Sequence, residues 1–149
     1  MTESEFWQLI ATIDTSALDD GREDDAIEPL RTALGSRSAT ELFAFEEALS
    51  QTLHAIDGKA FADNAGDSGG SDDAFLYARC HVVAKGRAFF EAVRSDPTLM
   101  PKSIEQWCEP LLYPHRQAWA TLTGKDQFEW PFTASVSYET GSNSSLWGD

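Results

Sequence analysis

The sequence has few basic residues, few cysteines and no long apolar run. Only 11 of its 149 residues are Lys or Arg, against 25 Asp or Glu, which leaves a formal net charge of −14. Nucleic-acid binding uses Lys and Arg to displace counterions from phosphates, so this balance excludes a general nucleic-acid binder. The apolar runs are too short for a transmembrane helix, and the N-terminal residues lack the basic and apolar regions of a secretory signal.

The two cysteines, Cys80 and Cys108, are too few for a disulfide scaffold. Both lie in stretches that predict helices, so we expect reduced thiols and a cytoplasmic protein. The cysteines and the three histidines lack the spacing of a zinc site, and no phosphate-binding or dinucleotide-binding motif is present. We therefore expect neither a metal nor a cofactor.

Helical periodicity dominates the chain and predicts an all-α fold. Ser/Thr-x-x-Glu capping boxes begin helices after Thr2 and after Ser38. The second of these helices carries an apolar face sustained over four turns, formed by Leu42, Phe45, Leu49, Leu53 and Ile56.

The helix that begins after Thr2 is predicted to reach about Ile13, before a polar turn at 14–25, and a short helix follows with Pro29 close to its first turn. Further helices are predicted at about 103–112 and 115–123, and the last ends at Gly124. We predict a single helical domain over residues 1–124, with five or six helices packed around a central helix at 73–94.

Residues 125–149 are predicted to form a short extended or flexible C-terminal segment. Four apolar residues in it alternate with small polar residues, which is the period of a half-buried strand: Phe132, Ala134, Val136 and Tyr138. A single strand needs a partner, so strand pairing stays open. Leu146 and Trp147 are candidates for docking onto the domain.

The central helix has two residues that a simple core helix does not need. Arg79 and Gly86 both fall on the apolar face of this helix. An unpaired buried charge costs several kcal/mol, so Arg79 requires a carboxylate or carbonyl partners; Asp72, Asp73 or an acid from another helix would serve. Glycine inside a helix costs about 1 kcal/mol, so we expect another helix or a ligand to approach closely at Gly86.

The same segment resembles the signature of a known family. The family's pattern is matched by Ser71-Asp72-Asp73-x-Phe75-x-Tyr77-x-Arg79, followed by Val82-Val83-x-x-Gly86-Arg87. This is similar to a bacterial domain-of-unknown-function family, numbered 4240, and the resemblance extends over about residues 6–124. It implies a small, mostly helical bacterial protein and brings no activity with it. The sequence departs from the family's pattern at Phe61, where a Trp-rich stretch is reduced, and at His81, which replaces a tryptophan.

The residues that we predict to contact a ligand or partner are Ser71, Asp72, Asp73, Arg79, Gly86 and Arg87. Ser and Asp at a helix start are also what capping alone requires. We expect no catalytic residue, because adjacent helical residues such as Cys80 and His81 point about 100° apart. The oxygen-rich residues 63–73 fail the spacing of a calcium-binding loop, so no metal ligand is predicted.

Three classes of function stay open. The first is a cytoplasmic protein-interaction or regulatory module with a basic protein as its partner. It is favoured by the acids of residues 1–25, which oppose Arg22 alone: Glu3, Glu5, Asp14, Asp19, Asp20, Glu23, Asp24 and Asp25. The second is a small-molecule-binding protein or enzyme that uses the Ser-Asp-Asp/Arg segment. The third, a DNA-mimicking decoy, is weakest because these acids cluster at one end. The sequence carries no signal for an oligomeric state.

Overall fold

The computed structural model describes residues 1–148; of the predicted C-terminal segment, Asp149 alone lies outside the described residues. The helices are α1 (Glu3–Ile10), α2 (Thr15–Asp19), α3 (Glu23–Leu34), α4 (Ala39–His54), α5 (Lys59–Asp63), α6 (Asp72–Ala84), α7 (Arg87–Ser95), α8 (Pro114–Thr123) and α9 (Ser144–Trp147). Short 3₁₀ turns occur at Gly66–Gly69, Pro97–Leu99, Glu109–Leu112 and Gln127–Glu129. Over residues 1–148 no strand forms, which confirms the predicted all-α single domain. Six of the helices have at least eight residues.

Local capping fixes the ends of several helices. The Thr2 hydroxyl accepts a hydrogen bond from the Glu5 N–H at 3.1 Å, and the Ser38 hydroxyl accepts one from the Glu41 N–H at 3.2 Å. In both cases the Glu carboxylate accepts a hydrogen bond from the backbone N–H of the capping residue, so both predicted capping boxes are confirmed. The last long helix, α8, ends at Gly124 in the left-handed conformation, as predicted.

The core surrounds α6. Every residue of this helix from Ala78 to Ala84 is buried, because α6 packs against α4, α7 and the 3₁₀ turns at residues 66–69 and 109–112. A helix that is apolar around most of its circumference needs neighbours on several sides. The prediction of a central helix in this region is therefore confirmed.

The central helix is shorter than predicted. It ends at Ala84, and α7 begins in a new direction after Gly86, whose φ is +107°. A Cβ added to Gly86 would meet no described atom within 4 Å. The expectation of close approach at Gly86 was wrong, because this glycine is needed for a left-handed backbone between two helices.

Three other predicted boundaries were wrong. The first helix was predicted to reach Ile13 and to be followed by a polar turn, but α1 ends at Ile10 and Asp14 caps α2. The helix predicted at 103–112 is absent, and only the last four of these residues form a 3₁₀ turn. Pro29 was predicted near the first turn of its helix, but it lies inside α3 at the seventh position.

The extended residues 130–140 lie against α4. Every second residue from Phe132 to Tyr138 is half-buried, which agrees with the predicted alternation. The covering surface is a helix: the Ser135 N–H donates to Glu47 Oε1 at 2.9 Å, and His54 Nδ1 lies 3.0 Å from the Ser137 carbonyl oxygen. Side-chain and backbone contacts with α4 thus replace the strand partner. No helix of the described residues is long and apolar enough to cross a bilayer.

Candidate functional site

An acidic cleft lies where the start of α3 faces the 3₁₀ turn at Glu109–Leu112 and α8. Its lining consists of Glu23, Asp24, Arg31, Glu109, Pro110, Tyr113 and Gln117. Glu23 and Asp24 occupy the first turn of α3, where the helix dipole favours negative charge. The Glu109 backbone N–H donates to Glu23 Oε1 at 3.3 Å, which holds the two segments together.

The carboxylates of this cleft are not neutralised within the protein. Among the described residues, no side-chain nitrogen of Lys, Arg or His lies within 4 Å of a carboxylate oxygen of Glu23, Asp24 or Glu109. The one cation of the lining, Arg31, is engaged by Glu28 and donates to Gln117 Oε1 at 2.9 Å. The cleft therefore carries an uncompensated negative charge.

Two pKa values in this cleft are raised, chiefly by burial. Partial burial raises the pKa of Glu23, the hydrogen bond from the Glu109 N–H lowers it, and the charges of Asp24 and Glu109 raise it. Burial also raises the pKa of Tyr113, whose hydroxyl donates to Glu109 Oε2 at 2.8 Å. A bound cation would relieve this repulsion.

Other acids of the N-terminal quarter have partners. Asp19 pairs with Lys85 at 2.7 Å, which ties α2 to the end of α6. Arg22 lies 3.4 Å from Asp20 and 3.2 Å from Asp25. Among the acids that the sequence singles out, Glu23 and Asp24 therefore lack the cation partner that these three acids have.

The six residues predicted as contacts lie at the start of α6, in its buried middle and at the start of α7. Ser71 is the N-cap of α6, and its hydroxyl accepts from the Ala74 N–H at 3.1 Å. Asp72 and Asp73 are exposed in the first turn, and within residues 1–148 neither carboxylate pairs with Arg79. Arg87 lies at the start of α7, beyond Gly86, and donates to Glu3 Oε1 of α1 at 3.1 Å. A ligand role for this set, including the small-molecule alternative, stays a prediction.

Arg79 is directed into the protein, as the sequence predicts, and is fully buried. Its Nη1 donates to the Leu53 carbonyl at 3.1 Å, and its Nη2 donates to Thr140 Oγ1 at 3.1 Å. The guanidinium also lies over the Phe75 ring, 4.8 Å from the centroid. Burial lowers the pKa of Arg79, and the charge of Asp57 acts in the opposite direction.

Asp57, in the turn after α4, is a buried hydrogen-bonding centre that no sequence pattern predicts. Asp57 has no exposed surface, and it accepts bonds from the Gly141 N–H at 3.1 Å, the Asn143 N–H at 3.0 Å and Trp147 Nε1 at 2.8 Å. These donors lie 84, 86 and 90 positions further along the chain. No local spacing marks such a residue.

A second buried polar cluster was also missed. The buried side chains of His115 and Glu46 contact each other, and Arg116 Nη2 donates to Glu46 Oε2 at 2.6 Å. Burial opposes ionisation of Glu46, but His115 and Arg116 outweigh it and lower the Glu46 pKa. Burial lowers the pKa of His115. This cluster fastens α8 to α4, because all of its polar contacts join these two helices.

The cysteines are poorly placed for chemistry. Burial raises the pKa of Cys80 to about 12 and raises that of Cys108 as well, so both remain thiols and are weak nucleophiles. Within the described part of the chain, no three His, Cys, Asp or Glu residues are grouped so that they could hold a metal ion.

The chain belongs to a family: the family model described as "Protein of unknown function (DUF4240)" matches residues 1–137. This confirms the resemblance seen in the central segment and extends it to the N-terminus and through the extended residues after α8. No curated protein and no solved structure matches the chain.

Proposed function

We propose that this protein is a protein-interaction module that binds a basic segment of a partner protein at the acidic cleft. The observation that carries the proposal is that Glu23, Asp24 and Glu109 line one cleft without a cation within 4 Å among the described residues. A Lys or Arg side chain of the partner supplies the missing positive charge. The Tyr113 ring offers an aromatic surface beside it.

Electrostatics support both the binding and its speed. A net charge of −14 attracts a basic partner over distances up to the Debye length, about 8 Å at physiological salt. Such steering raises association rates most at low ionic strength. At the cleft, a bound cation also lowers the free energy of ionised Glu23, whose pKa the free protein raises.

We also propose that the protein resides in a reducing compartment such as the cytoplasm. This location is supported by the two free thiols, which are both buried and are not joined.

Binding of a fluorescein-labelled Lys- and Arg-rich peptide, followed by fluorescence anisotropy at low and high salt, tests the proposal. The cleft variant carries Glu23→Gln, Asp24→Asn and Glu109→Gln. The matched control carries Asp67→Asn, Asp73→Asn and Glu105→Gln, three exposed acids whose side chains pair with no described residue. Both variants change the net charge by the same amount.

We expect the cleft variant to lose at least tenfold in affinity at low salt and the control to lose less than threefold. Raising the salt should weaken wild-type binding strongly and the cleft variant's binding only slightly. Equal losses in the two variants would mean that net charge alone attracts the peptide, and the cleft would then not be the site.

A further inference from the structure

Within residues 1–148, every donor that reaches the Asp57 carboxylate comes from the C-terminal latch, defined here as residues 138–148. Two are backbone N–H groups, from Gly141 and Asn143, and the third is the indole N–H of Trp147. A buried carboxylate that loses its hydrogen bonds is costly, because nothing replaces the water it gave up. The burial of Asp57 therefore depends on the latch.

The latch also completes the surroundings of Arg79. The Thr140 hydroxyl accepts from Arg79 Nη2 and donates to the Asp72 carbonyl at 2.7 Å, so it joins the guanidinium to the start of α6. Within the described residues, the buried Nε of Arg79 has no hydrogen-bond partner. One donor of the guanidinium is thus left for an acceptor that the latch does not provide.

The shape of the site fits the latch closely. The Trp147 ring meets the Phe75 ring edge-on, with the centroids 6.1 Å apart. A Cβ added to Gly58 would lie 2.7 Å from the Leu146 Cβ, so a side chain at position 58 would displace the latch. Asp57, Gly58, Phe75 and Arg79 together form a receiving surface for an extended segment followed by one helical turn.

The receiving surface and the latch differ in their relation to the family. The family match ends at residue 137, so the receiving surface lies inside the matched region and the latch begins directly after it. The matched region by itself contains both buried charges and none of the donors that satisfy Asp57. The segment that covers these charges therefore lies outside the matched region.

We propose that Asp57, Gly58, Phe75 and Arg79 form a peptide-binding site, which this chain fills with its own C-terminal latch. The class of ligand is a short peptide that presents two backbone N–H donors to Asp57, a tryptophan to Phe75 and a hydroxyl or carbonyl oxygen to Arg79. A tethered latch reaches an effective concentration of about millimolar, so a free peptide binds only when the latch is weakened.

The full-length chain carrying Gly141→Val and Trp147→Ala tests this site. Gly141 has a φ of +94°, which valine adopts only with strain, and the second change removes the indole donor and its packing. The probe is a labelled synthetic peptide of residues 138–148, with a Trp147→Ala peptide as the control ligand. The control protein is Ser144→Ala, an exposed position in the same segment.

We expect the double variant to keep its helical circular-dichroism spectrum and to bind the peptide at least tenfold more tightly than the wild-type chain or the Ser144→Ala chain does. The Trp147→Ala peptide should bind none of the three proteins. The proposal would be overturned if the double variant stays folded but does not bind the peptide at millimolar concentration. Loss of helicity would also overturn it, because the domain should stay folded when the latch is released.

Hydrogen exchange on the wild-type chain gives an independent measurement. If the latch opens locally, the amides of Gly141 and Asn143 exchange at least tenfold faster than those of residues 78–84 in α6. Exchange of all these amides at one common rate would mean that the latch opens only with global unfolding, which would also overturn the proposal.

Discussion

Acid should destabilise this protein through His81, by an amount that follows from its burial. The side chain is 4% exposed, and burial together with the nearby Lys85 lowers its pKa to about 4, from 6.5 in an unfolded chain. Between pH 6.5 and pH 4, His81 is therefore protonated in the unfolded chain but neutral in the folded protein. The difference of 2.5 pKa units corresponds to about 3 kcal/mol of lost stability below pH 4, and about 2 kcal/mol is already lost at pH 5.

The substitution His81→Gln replaces the titrating imidazole with an amide, which does not titrate and still carries an N–H donor. We expect urea unfolding of the wild-type protein at pH 7.5 and at pH 5 to show a fall in unfolding free energy about 2 kcal/mol larger than the fall for the variant. Titrating groups other than His81 are present in both proteins and cancel in the comparison. Equal falls, or an imidazole NMR titration of the folded protein centred near pH 6.5, would refute the reasoning.

Two smaller effects are also predicted. Gly86→Ala should cost about 1 kcal/mol or more in thermal unfolding, because alanine is strained at a φ of +107° although there is space for its Cβ; Gly70→Ala, at a φ of −69°, is the control that should cost far less. Glu23→Gln should raise the melting temperature at pH 7, since the ionised side chain has a raised pKa and therefore opposes folding above pH 4.5, and the gain should vanish at pH 3. A Glu23→Gln protein that melts lower than wild type at pH 7 would contradict the assigned charge crowding.

Features set by neighbouring residues were predictable from the sequence. The capping boxes at Thr2 and Ser38 need only a hydroxyl and a carboxylate three positions apart, and the apolar face of α4 repeats within one helix. The inward direction of Arg79 followed from its place on an apolar face. In each case the information lies within one or two turns of helix.

Features set by distant residues were not predictable. The helical period runs on through Gly86, and only the positive φ of this glycine in the structure shows that the central helix is interrupted there. At residue 108 the helical pattern is overridden because the Cys108 N–H donates to the Tyr77 carbonyl of α6 at 3.1 Å. The sequence predicted only part of the acidic cleft. Glu23 belongs to the acids noted in the sequence, whereas Glu109 lies 86 positions further along the chain.

Two acidic residues of this protein, Asp57 and Glu23, differ in what surrounds them. Asp57 is buried and satisfied by three donors of the latch, so its charge holds a segment of the chain in place. Glu23 is only partly buried, lies beside two further carboxylates and has a raised pKa, so its charge opposes folding. A buried charge that is satisfied by hydrogen bonds within the protein stabilises the fold. A charge that opposes folding is stabilised when a cation of a binding partner lies beside it. The net charge of −14 does not distinguish these two residues, and the positions of the cations and N–H donors do.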